Sequence, residues 1–236
     1  MSAKSLLELR FCELDIDLAE TWLSPYIEQL YKELDDVGLE HLQPRLYFGD
    51  EWFCPEGSTL ISVPFYLAHP RLAALESEFS GKVEGRSPQQ LMKLLRHEAG
   101  HCFNHAYRLH RTREWQTLFG SPKQTYNVET YEYDPSSTNF VRHLGGYYAQ
   151  SHPDEDFAET FAVFLSRKSK WREKYKDWPV ALQKLEYIER KVEDLGGTIP
   201  CMRSARPMSH VKHLRSTLDR FYRRRNLRGK KSKTKA

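Results

Sequence analysis

Apolar residues recur at the three- and four-residue spacing of a helix along much of the chain. This periodicity predicts amphipathic helices over residues 17–38, 179–197 and 209–225. The segment 44–68 differs, because its apolar residues form short runs that are typical of strands. The turn-forming sequence "CPEG" at 54–57 interrupts these runs, and we therefore expect a β-hairpin there.

Two further helices are predicted from start signals as well as from periodicity. In the segment 87–112, Ser87 can cap the helix and Pro88 suits its first turn. In the segment 151–168, Ser151 is the candidate cap. Both segments are therefore expected to be helical, and both contain residues with metal-binding or catalytic potential.

The predicted elements define the fold class and the domain organisation. Helices dominate and the one predicted sheet is small, which indicates a mostly helical α+β fold. A polar loop dotted with aromatic residues is expected at 119–140. We predict a single domain over residues 1–212 and a basic tail over 213–236, which passes from helix into disorder at "NLRGKKSKTKA".

The composition is that of a folded globular protein. Of the 236 residues, 39% are hydrophobic and 13% are aromatic, which suffices for one sizeable core. No run approaches the roughly 20 apolar residues that span a bilayer, and the first residues lack the apolar stretch of a secretory signal, so a cytoplasmic protein is expected. The cysteines are widely spaced and form no C-x-x-C pair, which favours reduced thiols; they are Cys12, Cys54, Cys102 and Cys201.

Charge is distributed unevenly along the chain. The net charge is +4, yet the residues from Arg223 onward include eight basic and no acidic side chains, so the remainder carries a net charge of −4. Basic runs can bind phosphates. One candidate function is therefore the binding of nucleic acid or another polyanion by this tail, although a charged, disordered end is also commonly just solubilising.

The sequence "HEAGH" at 97–101 fits the pattern H-E-x-x-H. At a spacing of four residues, His97 and His101 project from one helical face and can share a zinc ion. Zinc lowers the pKa of a bound water to about 7, and Glu98 is placed to take its proton, which is the logic of hydrolytic metalloenzymes. Gly100 in the middle of this helix indicates close packing against a neighbour.

His105 continues the four-residue spacing but is not expected to bind the same ion. Eight residues of helix separate His97 and His105 by about 12 Å, whereas zinc–nitrogen bonds are about 2.0–2.1 Å long. We therefore interpret His105 as a residue that supports the site from behind or lies at the surface.

The segment 147–164, "YYAQSHPDEDFAETFAVF", is the strongest source of a third ligand. Glu155 and Glu159 are four residues apart on one predicted helical face, which fits one carboxylate on the metal and a second bracing a histidine. Asp154 and Asp156 fit an acidic first turn that the helix dipole favours.

Together, "HEAGH" and "SHPDEDFAETFAVFL" resemble a zinc-binding metallopeptidase family of bacteria. The resemblance extends from about residue 5 to 195 and implies a zincin-like fold. More distantly, "EDFAE" is similar to the E-F-F-A-E of the lethal-factor-like gluzincins. That likeness implies Glu155 as third ligand, Glu159 behind it and Tyr148 as a donor to the oxyanion. Asp156 replaces an aromatic residue of that pattern, which leaves Asp156 and Glu159 open as alternative ligands.

The resulting hypothesis is a peptidase with one zinc ion held by two histidines and a carboxylate. Glu98 would act as general base and Tyr148 as oxyanion donor, and the substrate would be a peptide or protein. By analogy with other gluzincins, strands between residues 44 and 65 could offer an edge along which an extended peptide lies. Other polar residues near the site in sequence are expected to be structural or exposed: Arg142, His143 and His152.

Overall fold

A computed structural model describes residues 2–126, 131–202 and 206–233 of the chain. The fold over these residues is α+β and mostly helical, as predicted. Among them, no helix is both long enough and apolar enough to cross a membrane. The helices are α1 Ala3–Glu8, α2 Ser24–Asp36, α3 Pro70–Ser80, α4 Pro88–Tyr107, α5 Arg113–Phe119, α6 Pro153–Leu165, α7 Trp171–Lys174, α8 Pro179–Leu195 and α9 Leu218–Lys233, and the strands are β1 Arg45–Gly49 and β2 Leu60–Pro64.

The two strands pair in parallel, so the predicted hairpin between them is wrong. Arg45 lies opposite Leu60 and the register continues to the strand ends. The "CPEG" turn does form, but it returns the chain to β2 only at a single antiparallel bridge between Phe53 and Ser62. Thus β2 lies between β1 and the segment around Phe53. The turn sequence predicted the local reversal, whereas the pairing of β1 depends on contacts that no local sequence contains.

The helix that contains "HEAGH" forms as predicted. α4 begins at Pro88, and the Ser87 hydroxyl accepts a hydrogen bond from the Gln90 amide at 3.3 Å. α8 also agrees with the predicted helix at 179–197. The helix predicted at 17–38 is shorter, because α2 starts only at Ser24 and a short 3-10 turn precedes it.

The N-cap of α6 differs from the predicted one. His152, rather than Ser151, takes the cap position, and its Nδ1 accepts a hydrogen bond from the Asp154 amide at 3.1 Å. At most helix starts, the acceptor of this hydrogen bond is the oxygen of a short side chain such as serine or aspartate, whereas here it is an imidazole nitrogen. The expected loop at 119–140 contains no further helix or strand in its described part, and residues 127–130 lie outside the described residues.

The C-terminal helix lies further along the chain than the predicted range of 209–225, because α9 begins only at Leu218, after a short 3-10 turn at Val211–His213. α9 continues to Lys233, so the expectation of disorder from Asn226 is wrong over that range, and residues 234–236 lie outside the described part of the chain. Leu218 and Tyr222 are fully buried in the main hydrophobic core. Tyr222 stacks on Phe79 of α3 with ring centroids 4.5 Å apart. The start of the basic segment is therefore held by the core.

Close packing of α4 against α6 positions the residues of interest. A Cβ added at Gly100 would lie 2.8 Å from the Cα of Ala158 and 3.0 Å from its carbonyl oxygen. Contacts this short with backbone atoms cannot be relieved by turning a side chain, so the two helices need glycine at this position to approach as they do. The expectation of close packing at Gly100 agrees with this contact.

Candidate metal centre

Three side chains from α4 and α6 converge between the two helices. His97 Nε2 lies 3.0 Å from Glu155 Oε2, His101 Nε2 lies 3.3 Å from the same oxygen, and the two Nε2 atoms are 3.2 Å apart. Among the described residues, this is the one group of three histidine, cysteine or acidic side chains whose donor atoms all lie within 4.8 Å of one another.

These separations fit a single tetrahedral metal ion. Ligands 2.0–2.2 Å from zinc at tetrahedral angles are about 3.3–3.5 Å apart, and the observed values of 3.0, 3.2 and 3.3 Å are close to that range. Glu155 Oε2 is buried and accepts no well-aligned hydrogen bond from the described residues. Two imidazole nitrogens and one carboxylate are also a donor set that zinc prefers. The residues present therefore fit a zinc ion.

The ring of His97 is held in place by Glu159. His97 Nδ1 donates to Glu159 Oε1 at 3.0 Å, while Glu159 Oε2 accepts from the Leu144 amide at 2.8 Å. Both oxygens of this buried carboxylate are thus occupied. A proton on Nδ1 leaves the Nε2 lone pair directed at the centre, which is the usual arrangement behind a metal-binding histidine.

Asp156 points away from the histidines. Its Oδ2 lies 2.6 Å from the ammonium group of Lys184 on α8, and both side chains are almost fully buried. Of the three carboxylates that the sequence left open as the third ligand, only that of Glu155 lies in the cluster with His97 and His101.

The pKa values of the three side chains show that the cluster stabilises positive charge on its histidines. Burial lowers the pKa of His101, but the carboxylate of Glu155 outweighs burial and raises that pKa to about 9. Burial likewise lowers the pKa of His97, yet the neighbouring carboxylates of Glu155 and Glu159 raise it overall. Burial raises the pKa of Glu155, whereas the charges of the two histidines hold it well below its usual range. A divalent cation can supply the positive charge that Glu155 requires.

Glu98 lies beside this cluster and lines the same cleft. The side chain is buried, and its Oε2 has no hydrogen-bond partner among the described residues. Burial raises the pKa of Glu98 to about 7, against the opposing charges of His97 and His101. A buried, unpartnered carboxylate costs free energy unless it serves another group. Its position next to the donors is where a proton acceptor for a bound water would be needed.

Tyr148 lies close to His97, with ring centroids 5.6 Å apart. Burial and the charge of Glu155 raise the pKa of Tyr148 far above its usual range, so the phenol stays protonated and can donate. Its hydroxyl is 2.6 Å from that of Tyr126. Tyr126 could not be predicted as a residue of the site, because the aromatic-rich loop that contains it shows no spacing that distinguishes one tyrosine from another.

A cleft of about 670 Å³ opens over the cluster, a volume typical of ligand-binding pockets. The segment from Asp50 to Cys54 forms one wall, and Tyr126 and Tyr148 lie on another. The acidic side chains in its lining outnumber the basic ones, which favours cationic over anionic ligands. Outside the donor cluster and Glu98, the charged residues of the lining are Asp50, Glu51, Glu56, Glu84, Asp154 and Arg225.

The remaining histidines near the site have structural contacts. His105 is buried in the cleft wall and stacks near His101 with centroids 6.4 Å apart, but it lies outside the donor cluster. His143 contacts the backbone oxygen of Lys93 at 3.0 Å, and burial lowers its pKa to about 4. His152 caps α6 and also lines the cleft.

Neither Arg142 nor the paired arginines of α9 reach the metal donors. Arg142 donates to the Pro135 carbonyl and lies over the ring of Trp178. Arg223 bonds to Asp219 on its own helix, while Arg225 bonds to the buried Glu76 at 2.9 Å at the edge of the cleft. These pairs reduce the positive charge that the described part of the basic segment offers to a polyanion.

The fold and the site together define a helical α+β protein with a buried His–His–Glu cluster suited to a metal ion. Residues 86–196 match the model of a family described as "Putative zinc-binding metallo-peptidase", which confirms the resemblance inferred from the sequence. The matched segment includes α4, α6 and α8 and begins just before the cap of α4. No curated protein and no solved structure matches the chain.

Proposed function

We propose that this protein is a zinc-dependent peptidase in which His97, His101 and Glu155 hold one zinc ion. The observation that supports it best is the convergence of the three donor atoms within 4.8 Å, beside Glu98, whose Oε2 has no hydrogen-bond partner among the described residues. The family match supports the same class of enzyme at the family level.

Zinc, when bound, polarises a substrate carbonyl and acidifies the attacking water. Glu98 then accepts the proton of that water at its free Oε2 and delivers it to the nitrogen of the leaving amine. Tyr148 donates its phenol proton in a hydrogen bond to the oxygen on which negative charge develops. Glu159 contributes indirectly, because it keeps the His97 ring in one orientation.

The cleft suits an extended peptide. At Ser62, both edges of β2 are occupied, by β1 on one side and by Phe53 on the other. The segment from Asp50 to Cys54 is therefore the backbone that faces the cleft. Pairing of a substrate with this segment would align its carbonyls along the cleft. This refines the expectation that a strand between residues 44 and 65 offers the binding edge.

Metal content tests the ligand assignment. The purified protein should contain about one zinc ion per chain, and His101→Asn should lose most of it. His105→Asn is the matched control, because His105 is a buried histidine one helical turn further along α4 but outside the cluster. Equal zinc loss in both variants would contradict the assignment.

Hydrolysis tests the role of Glu98. Glu98→Gln should retain zinc and lower the turnover of a mixed peptide library by about 100- to 10,000-fold, as expected for loss of a general base. Cleavage products identified by mass spectrometry would also report the bond that is cut. A zinc-loaded wild-type protein without turnover, or a fully active Glu98→Gln variant, would overturn the proposal.

The basic end of the chain provides a control on the same reaction. A truncation after Leu227 removes the basic residues from Arg228 onward, while Tyr222 and Arg225 stay in place. We expect this variant to keep its peptidase activity. Loss of activity together with loss of heparin or DNA binding would instead favour a polyanion-binding function for this segment.

A further inference from the structure

Two cysteines and a histidine form a second cluster in the wall of the cleft. Cys54 Sγ lies 3.6 Å from Cys102 Sγ and 3.5 Å from His105 Nδ1. Cys54 is partly exposed and lines the cleft, whereas Cys102 is fully buried on α4. Cys54 is 48 residues from Cys102 in the sequence, so no local motif predicts this cluster.

This cluster is not a second metal site of the same kind. Among the described residues, the donor atoms of Cys54, Cys102 and His105 do not all lie within 4.8 Å of one another, in contrast to those of the His97 group. Two thiols whose sulfur atoms are already in contact are instead suited to forming a bond with each other.

We propose that Cys54 is a peroxide-reactive thiol and that Cys102 resolves its oxidised form to a disulfide. Cys54 sulfur attacks one oxygen of hydrogen peroxide, the O–O bond breaks, and a sulfenic acid and one water form. Cys102 sulfur then attacks the Cys54 sulfur, the S–O bond breaks, and the hydroxyl leaves as a second water with the Cys102 proton. Two thiols are thereby oxidised and one peroxide is reduced.

The surroundings explain why Cys54 reacts first. Hydrogen bonds from Cys102 and His105 lower the pKa of the Cys54 thiol to about 5, although burial opposes this. Peroxide can reach Cys54 from the cleft but not the fully buried Cys102. Thiolate character and access are the two properties that select a redox-active cysteine. Closing the bond requires the sulfur atoms to approach by about 1.5 Å.

The resulting bond would connect the cleft wall to the helix that holds both histidines. Cys54 lies in the connection between β1 and β2, and Cys102 directly follows His101 on α4. This inference does not depend on the proposed peptidase activity, because the covalent state of the cysteines can be measured without substrate.

Peptide mapping of the full-length protein tests the proposal. The reduced protein is treated with hydrogen peroxide, free thiols are alkylated, and peptides are analysed without reduction. We expect a peptide pair joined through Cys54 and Cys102 and lighter by two hydrogens. Cys12 and Cys201 are the internal controls, and the disulfide should form roughly tenfold or more faster than either is oxidised. No joined pair, or faster oxidation of either control, would overturn the proposal.

Two variants separate the steps of the reaction. In Cys102→Ala, the sulfenic acid of Cys54 should persist and be trapped by dimedone, whereas in Cys54→Ser neither the adduct nor the disulfide should form. Cys54→Ser also covers the case in which the buried Cys102→Ala variant fails to fold. A disulfide between other cysteines in the wild type, or an untrapped Cys54 in a folded Cys102→Ala variant, would contradict the assigned order.

Discussion

Helix α6 contains two neighbouring carboxylates with different kinds of partner; Asp156 is fully buried and Glu155 is partly buried. Asp156 faces a permanent cation, the ammonium group of Lys184, at 2.6 Å. Glu155, one residue earlier, faces the imidazoles of His97 and His101, which are neutral unless they bind a proton. Both groups are largely removed from water, but the Asp156 charge is balanced by a lysine, whereas the Glu155 charge is balanced only by protons or a cation bound at the histidines.

This difference distinguishes a structural ion pair from a candidate metal site. The charge of Asp156 is balanced by lysine through Oδ2, although its Oδ1 has no hydrogen-bond partner among the described residues, and the pair links α6 to α8. A buried carboxylate among imidazoles is compensated only when protons or a cation enter the cluster. Successive residues of a helix point about 100° apart, so one helix can present both arrangements to different neighbours.

The largest effect is expected when the structural pair is broken. Asp156→Ala leaves the Lys184 ammonium buried without its carboxylate, which should lower the free energy of unfolding by about 3–5 kcal/mol. Chemical denaturation measures this loss. The double variant Asp156→Ala/Lys184→Met removes both charges and should recover much of the stability. An Asp156→Ala variant as stable as the wild type would contradict the structural role.

Removing the Glu155 carboxylate should weaken zinc binding rather than lower the stability of the fold. Glu155→Ala should weaken zinc binding by more than about 100-fold if Glu155 is a direct ligand as proposed, because loss of a ligand exceeds the effect of losing a residue that orients one. Its unfolding free energy without metal should change little. Asp154→Ala is the matched control, since Asp154 is also acidic and in the first turn of α6. Retained zinc in Glu155→Ala would reassign the third ligand.

The pKa values of the buried histidines differ in the same way, because those of His97 and His101 are raised by carboxylates whereas that of His143 is lowered. Burial lowers the pKa of His143 to about 4, and the charge of Glu159, which acts in the opposite direction, does not restore the ordinary value. The unfolded chain therefore binds a proton at His143 near pH 6.5 and the folded chain does not. Stability from this group is full above pH 6.5 and is lost as the pH falls towards 4, by up to about 3 kcal/mol.

Comparison with a variant isolates that contribution. His143→Gln keeps an N–H donor for the Lys93 carbonyl but does not titrate. Denaturation curves at pH 7 and pH 4 should therefore show a smaller loss of stability in His143→Gln than in the wild type. Equal losses would mean that His143 does not titrate as its burial implies.

The sequence predicted the elements of the site better than their contacts. α4 was predictable because its cap, its periodicity and its "HEAGH" are all local. Gly100 indicated close packing but not which helix would supply the neighbour. The choice between Glu155 and Asp156 also required tertiary information, because adjacent acidic residues look alike until Lys184 and the histidines occupy their positions.

The features that the sequence missed are those that depend on distant segments. The parallel pairing of β1 with β2 follows a turn that by itself favours a hairpin. Helix α9 continues past Asn226, where composition alone favoured disorder. The contact of Cys54 with Cys102 joins residues 48 positions apart. In each case the deciding interaction comes from another part of the chain, and a periodicity or composition argument does not contain it.

The smallest effect on zinc binding is expected from Glu159, which contacts His97 on the side away from the proposed metal. Glu159 accepts one hydrogen bond from His97 and one from the Leu144 amide, each at a different oxygen. Glu159→Gln has only one oxygen, so its amide group must face one of these donors. We expect zinc binding to weaken by about tenfold, the low end for residues that orient a ligand. Zinc titration should rank the losses as Glu155→Ala, then Glu159→Gln, then Asp154→Ala. A larger loss in Glu159→Gln than in Glu155→Ala would reverse the roles of the two glutamates and place Glu159 on the metal.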